Sequence, residues 1–164
     1  MKSNEGDDMI KQLLSVEGML TTTFLILLTG AAYTDGRERR IPDLYVSGIL
    51  LTALIRLFTL EGADVQGIAA GATGVLAVSV PMLLIALIVP GAFGGGDVKL
   101  MAACGLFLGA KDIFYSFFYA LILGGVFSIY LILVKKGTRK TRIAFGPFLA
   151  SGIVLRLIFL IFKG

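Results

Sequence analysis

The sequence predicts an all-α integral membrane protein, a bundle of about six transmembrane helices that forms one membrane-embedded domain over residues 1–164. Hydrophobic residues make up 57% of the chain and charged residues only 16%, whereas soluble domains are about 45–50% apolar and about 25% charged. The mean hydropathy is +0.91. The apolar residues also gather into stretches of roughly 17–25 residues, the length that a helix needs to cross a bilayer. We place the predicted spans at 17–34, 43–60, 65–90, 97–110, 113–134 and 143–162.

These spans differ in length and in what flanks them. The first follows an acidic segment, whereas a secretory signal begins with a basic region, so we interpret 17–34 as a permanent span. The alternative is a cleaved signal, because Gly30-Ala31-Ala32 resembles a small-residue cleavage site. The third, 65–90, is long enough to tilt in the bilayer. The fourth, 97–110, makes a helix of only about 21 Å at about 1.5 Å per residue, against a hydrocarbon core about 30 Å thick. If its far end reaches the outer face, Asp97 lies below the cytoplasmic surface.

The basic residues predict how the bundle is oriented. Lysine and arginine are enriched in cytoplasmic loops, and here they concentrate in alternate loops, the first and the fifth. These residues are Arg37, Arg39, Arg40, Lys135, Lys136, Arg139, Lys140 and Arg142. We therefore expect both basic loops in the cytoplasm and both termini outside, in the cell membrane. The net charge of +4 is then explained by topology and contact with anionic lipid, and it does not indicate a nucleic-acid partner.

Three further charged residues fall within the spans. Glu17 and Arg56 are near the predicted outer ends, where solvation at the interface is sufficient. Arg156 lies deeper in the last span and needs a partner that the sequence does not identify. Glycine pairs four residues apart, Gly67–Gly71 and Gly105–Gly109, fit the small-xxx-small pattern of close helix packing.

The composition also excludes several chemistries. The chain has no histidine, so a serine–histidine or cysteine–histidine catalyst is not available. The single cysteine, Cys104, cannot form an internal disulfide, and without histidine we expect no zinc site. We interpret Cys104 as a buried packing residue and predict neither a metal nor a cofactor.

Two aspartates at helix ends are the strongest functional signal. An ionisable carboxylate beside lipid is costly and is a functional-site hypothesis by default. Asp35 and Asp97 both fall at predicted cytoplasmic helix ends, which suggests an acid–base pair that hydrolyses a peptide bond, one carboxylate ionised and the other protonated. The dipole of the fourth helix favours the ionised form at Asp97. Gly94–Gly96 have no Cβ atoms, so an extended substrate backbone could approach them closely.

Structural interpretations of the same residues compete with this hypothesis. An aspartate at a helix start is usually an N-cap, and three glycines before a helix usually form an ordinary loop. Lys99 could tune Asp97 or bind substrate, and it could equally extend to the membrane interface. The two aspartates together, on one face of the membrane, favour function.

Three segments resemble motifs of the type IV prepilin peptidase family. Gly94-Gly95-Gly96-Asp97 is similar to its G-x-G-D motif, and the segment from Asp35 to Pro42 resembles its first aspartate region. Residues 143–150 are similar to its Phe-Gly-Pro segment, which opens the last helix. The motifs occur in the family's order and cover nearly the whole chain.

The resemblance implies an intramembrane aspartyl endopeptidase that cuts the leader from pilin-like or preflagellin-like precursors on the cytoplasmic side. Asp35 and Asp97 map onto its catalytic pair, and Gly94 and Gly96 onto the motif glycines. Asp43 replaces the family's usual asparagine; it could modulate the pair, and we favour a helix cap. The chain lacks the Cys-x-x-Cys pairs that larger members carry, so it resembles the short, peptidase-only form.

Two questions stay open at the level of sequence. The rival function is a small proton-coupled transporter that uses the same aspartates as a relay; such proteins often show broken helices at matching positions of two halves, and only one glycine-broken helix start is visible here. Formation of a homo-oligomer is also left open.

Overall fold

The computed structural model describes residues 15–59, 65–89, 91–135 and 144–163, and in these ranges the chain is all-helical, with six helices and no strand. The predicted all-α fold class is confirmed. The basic residues between 136 and 142, the acidic residues Glu61 and Asp64, and the N-terminal acidic segment lie outside the described residues. The helices are α1 (Val16–Glu38), α2 (Asp43–Thr59), α3 (Val65–Ile88), α4 (Gly95–Leu108), α5 (Ala110–Lys135) and α6 (Gly146–Lys163).

The helices coincide closely with the predicted spans, and the largest difference is at the end of α1. We predicted an end at residue 34, but α1 continues to Glu38. The hydropathy pattern marks only the apolar part of a helix, whereas the backbone hydrogen bonds continue through the polar turn after it. Arg39 then ends the helix in the left-handed conformation, with φ of 53°, and its N–H donates to the Asp35 carbonyl. Asp35 is therefore inside the last turn of α1.

Several helices have the length and composition of membrane spans. Among the described residues, α1, α3 and residues 110–134 of α5 are long and apolar enough to cross a bilayer, and α6 is a shorter apolar helix. Large hydrophobic side chains such as Leu87 and Leu133 are more than 70% exposed on the outside of the bundle. A surface of this kind is typical of a protein that faces lipid.

Helix α4 lies at the centre of the bundle. It contacts α2, α3, α5 and α6, and residues along its whole length are buried, from Asp97 to Phe107. It begins at Gly95, two residues before the predicted start, so Gly95 and Gly96 form its first turn and are not the loop that we expected. The short helix is thus packed among its neighbours, and in its first turn Asp97 is buried while Gly95 is exposed.

Glycines allow α3 and α4 to approach closely. A Cβ atom on Gly74 would overlap the carbonyl oxygen of Gly105, and one on Gly105 would overlap that of Gly74. One turn away, a Cβ on Gly71 would lie 2.7 Å from Leu106 Cδ1. The predicted packing role is confirmed for Gly71 and Gly105, although their partners are on the neighbouring helix.

Two arginines are paired at the end of the bundle where α5 begins. Arg156 donates from Nε and Nη2 to Asp112 Oδ1, at 2.9 and 2.7 Å, so Asp112 is the partner that the sequence left unidentified. Arg56 donates to the Phe107 carbonyl at 2.8 Å and lies 3.8 Å from Glu17. Our expectation that interfacial solvation alone accounts for Glu17 and Arg56 was therefore incomplete.

Candidate active site

Asp35 is a buried carboxylate held by the start of the last helix. Its side chain lies in the last turn of α1, and the residue is 6% exposed. The backbone N–H of Gly146, the first residue of α6, donates to Asp35 Oδ2 at 2.8 Å. A hydrogen bond in a buried site is electrostatically stronger than the same bond in water. The contact joins residues 111 positions apart, and it fixes where α6 meets α1.

Gly146 is required at this position because no side chain would fit there. An added Cβ would lie 2.7 Å from Asp35 Oδ2 and 2.9 Å from Asp35 Cβ. The following residue, Pro147, packs against Gly36 of α1, and proline is well suited to the first turn of a helix, where its missing N–H has no partner to lose. Within the Phe-Gly-Pro segment, Gly146 thus provides both the backbone donor to Asp35 and the first residue of α6, and Phe145 precedes it.

Asp97 is the second buried carboxylate and lies in the first turn of α4. It is 7% exposed. The N–H of Gly94, which precedes the helix in an extended conformation, donates to Asp97 Oδ2 at 3.1 Å. The other oxygen, Oδ1, is buried and has no hydrogen-bond partner among the described residues. Asp97 is therefore not the N-cap of α4, since Gly94 holds that position, and within the described part of the chain its Oδ1 is available to accept a hydrogen bond from a bound molecule.

The structure brings the two aspartates to the same end of the bundle. The last turn of α1 meets the first turn of α6 through the bond from Gly146 to Asp35. The Phe93 and Phe145 rings, whose centroids are 5.5 Å apart, join the segments that precede α4 and α6. Asp35 and Asp97 thus lie at one end of the bundle, and their catalytic role remains a prediction.

The motif glycines differ in how closely they are packed. A Cβ on Gly96 would lie 3.2 Å from Ile41 Cβ, and one on Gly94 would lie 3.1 Å from Asp97 Oδ2. A Cβ on Gly95 would meet no described atom within 4 Å. The outer two glycines of G-x-G-D therefore allow close packing around Asp97, whereas the middle one has open space beside it.

Lys99 is placed differently from our expectation. Its Nζ lies 2.9 Å from Asp43 Oδ1, and both side chains are largely exposed, at 60% and 78%. Asp43 is the first residue of α2, so it is not the cap that we favoured; its charge suits the N-terminal end of the helix dipole. The two residues form an exposed ion pair between α2 and α4.

Our sequence reasoning missed the donors to the carboxylates. It identified the Phe-Gly-Pro segment by resemblance only, and it gave no role to Phe93. A signal was available, because the tripeptide Ala-Phe-Gly occurs twice in the chain, at 92–94 and at 144–146. In the structure each copy leads into a helix, since Gly94 directly precedes α4 and Gly146 is the first residue of α6, and the N–H of each glycine donates to one of the aspartates.

The fold and site together define an all-helical, strongly apolar protein with a pair of buried carboxylates at one end. The sequence model of the type IV leader peptidase family matches residues 22–129, more than half of the chain, and the chain belongs to that family. The matched range contains both aspartates and the glycine run. This assignment confirms the resemblance and favours a peptidase over a proton-coupled transporter.

A characterised relative extends the similarity along the chain. The sequence is 29% identical over 147 residues to a prepilin leader peptidase/N-methyltransferase of Bacillus subtilis (strain 168). The alignment covers 89% of this chain and 58% of that protein. No solved structure matches the chain.

Proposed function

We propose that this protein is an intramembrane aspartyl endopeptidase that removes the leader from pilin-like precursors, with Asp35 and Asp97 as its catalytic pair. The observation that carries the proposal is the pair of buried carboxylates at one end of the bundle, each held by a backbone N–H. The free oxygen of Asp97 supplies an acceptor for a reacting water. The family assignment supplies the class of reaction.

The chemistry follows from two carboxylates that share one proton. Two buried negative charges at close range are costly, so the lowest-energy state has one carboxylate ionised and one protonated. The ionised carboxylate takes a proton from water as the water oxygen attacks the peptide carbonyl carbon, while the other carboxyl donates its proton to the carbonyl oxygen. As the tetrahedral intermediate collapses and the C–N bond breaks, the second carboxylate takes a proton back from one of the two hydroxyls, and the amine leaves with a proton from the first carboxyl. The assignment of the ionised form to Asp97 is part of this proposal.

We place the site at the cytoplasmic face of the cell membrane, in a single domain of six membrane-spanning helices with both termini outside. Arg37, Arg39 and Arg40 follow the turn that carries Asp35, and loops rich in arginine stay in the cytoplasm. The apolar, exposed outer surface of the bundle supports contact with lipid. The reacting peptide bond of a precursor would then lie just before the precursor's own hydrophobic segment enters the bilayer.

The first turn of α4 is the proposed contact for the substrate backbone. Gly95 is exposed and has open space where a side chain would otherwise be. An extended peptide could lie along Gly94–Gly96 and bring its reacting bond next to Asp97. Lys99 is exposed on the same helix, where it can contact the polar part of a precursor.

The experiment that tests the proposal is cleavage of a purified pilin-like precursor in lipid or detergent, with the products mapped by mass spectrometry. Asp35→Asn and Asp97→Asn keep the size of each side chain and remove its charge, and we expect both to abolish the single cut after the leader. Asp43→Asn is the matched control, since it alters an exposed aspartate close to the site and should retain cleavage. Cleavage by either of the first two variants would remove that aspartate from the mechanism. Absence of cleavage by folded wild-type protein, together with proton flux in vesicles, would support a transporter instead.

A further inference from the structure

The two Ala-Phe-Gly segments occupy equivalent positions around the candidate site. Gly94 and Gly146 each donate a backbone N–H to the Oδ2 atom of an aspartate, Asp97 and Asp35 respectively. In each segment the phenylalanine immediately precedes the donor glycine. The position of each phenylalanine backbone is therefore coupled, through a single peptide link, to the position of a carboxylate.

The two phenylalanine rings contact each other. The ring centroids of Phe93 and Phe145 are 5.5 Å apart and their planes make an angle of 55°, which is within the range of favourable tilted aromatic pairs. Helices α4 and α6 make few other contacts with each other. The ring pair is thus a principal link between the N-terminal ends of the two helices whose starts hold the carboxylates.

A purely structural role would be served by any well-packed hydrophobic pair. The bundle contains another aromatic pair in Phe127, which is 41% exposed, and Phe148, whose centroids are 5.3 Å apart on α5 and α6. Phe127 does not adjoin a donor glycine and lies on the middle of its helix. The arrangement of Phe93 and Phe145 differs because each ring is one residue from a group that binds an aspartate.

We propose that Phe93 and Phe145 form an aromatic bridge that sets the position of Asp35 relative to Asp97, so that both phenylalanines are positioning residues for the reaction. This inference rests on the proposed peptidase function. The bridge acts through Gly94 and Gly146 and needs no contact with substrate. Loss of either ring removes the contact between the two segments, because that contact requires both rings, while the remaining ring keeps its neighbour, Phe117 for Phe93 or Phe148 for Phe145.

The aromatic bridge predicts a specific change in the kinetics of cleavage, a lower kcat with KM little changed. An aromatic pair of this kind is worth about 0.5–1.5 kcal/mol, which corresponds to roughly 2- to 12-fold in rate. We expect Phe93→Leu and Phe145→Leu each to lower kcat by up to about tenfold and to leave KM within about twofold. The double variant should be no slower than the slower single variant, because interacting residues are non-additive. Phe93→Tyr and Phe145→Tyr keep the rings and should restore most of the rate.

The test is a double-mutant cycle on cleavage of the pilin-like precursor, with Phe127→Leu as the matched control and thermal unfolding in detergent measured for every variant. A non-additive loss of kcat, absent from the control and restored by tyrosine, supports the bridge. Multiplicative losses, a rise in KM without a change in kcat, or a loss equal to that of the control would overturn it. A leucine variant that does not fold leaves the tyrosine variants as the test, and failure of folded tyrosine variants to approach the wild-type rate also overturns the bridge. If wild-type protein does not cleave, the proposed function itself fails, and that result is distinct from an additive cycle in an active enzyme.

Discussion

The sharpest test of the site is Gly146→Ala, which adds one methyl group beside Asp35. Gly146 is buried, and its N–H is a donor to Asp35 Oδ2. The new Cβ would lie 2.7 Å from Oδ2 and 3.0 Å from Cγ, whereas ordinary contacts begin at 3.4 Å. The carboxylate or the start of α6 must therefore move by roughly 0.7 Å, as the difference between these two contact distances requires.

The size of the effect follows from the hydrogen bond that this movement breaks or distorts. Leaving a buried donor such as the Gly146 N–H without its partner costs about 1–3 kcal/mol, which corresponds to roughly 5- to 150-fold in rate. A misplacement of about 1 Å in a catalytic group has a similar cost, about 100-fold. We expect kcat to fall by about 10- to 100-fold, with KM little changed, because the substitution displaces a reacting group and touches no proposed substrate contact.

The assay is cleavage of a pilin-like precursor at saturating and sub-saturating concentrations, so that kcat and KM are obtained separately. The matched control is Gly125→Ala on α5, where an added Cβ meets no described atom within 4 Å. That control should keep full activity and gain up to about 1 kcal/mol of stability from better helix propensity. A folded Gly146→Ala protein with the wild-type kcat would refute the claim that the Gly146 N–H holds Asp35 in its active position.

Four further substitutions test other parts of the structure. Gly95→Ala should raise KM by a few-fold with kcat little changed, because its Cβ would enter the open space proposed for the substrate backbone, whereas Gly96→Ala should lower kcat because its Cβ presses on Ile41; equal effects of the two substitutions on kcat and on KM would contradict this difference. Gly105→Ala should lower the stability to unfolding in detergent by about 1–3 kcal/mol, the usual cost of overpacking, and unchanged stability would show that α3 and α4 are not in close contact. Asp112→Asn should lower stability by up to about 3 kcal/mol, since Arg156 loses its carboxylate, with kcat unchanged because the pair lies at the opposite end of the bundle from the aspartates. A fall in kcat without a change in stability would contradict that separation.

The helices could be predicted from the sequence because each corresponds to a continuous run of apolar residues. Each apolar residue in such a run is expected to be buried or to face lipid, so the spans can be located without any knowledge of the fold. The polar turn at the end of α1 could not be found in this way, and Asp35 was consequently placed just outside a helix that contains it. The pairing of Asp35 with Asp97 could be predicted because loop charge assigns both helix ends to one side of the membrane.

Contacts between distant segments could not be predicted, since no local pattern encodes them. The bond from Gly146 to Asp35 depends on how α6 docks against α1, and the Arg156–Asp112 ion pair depends on how α6 docks against α5. The orientation of Lys99, by contrast, could have been predicted from its spacing to Asp97. Residues two apart on a helix point to different faces, so a buried Asp97 places Lys99 on the outside, where Asp43 is its partner.

The two aspartates reach the site from opposite ends of their own helices, and this explains why α6 belongs to the site. Asp97 lies in the first turn of α4, where the helix dipole favours a negative charge. Asp35 lies in the last turn of α1, where the carbonyl groups disfavour one, and it would be poorly placed without a compensating donor. The N-terminal end of α6 provides that donor through Gly146, so both carboxylates are held at the positive end of a helix. The segment from Phe145 to Pro147 lies beyond the range matched by the family model, yet the position of Asp35 depends on it directly.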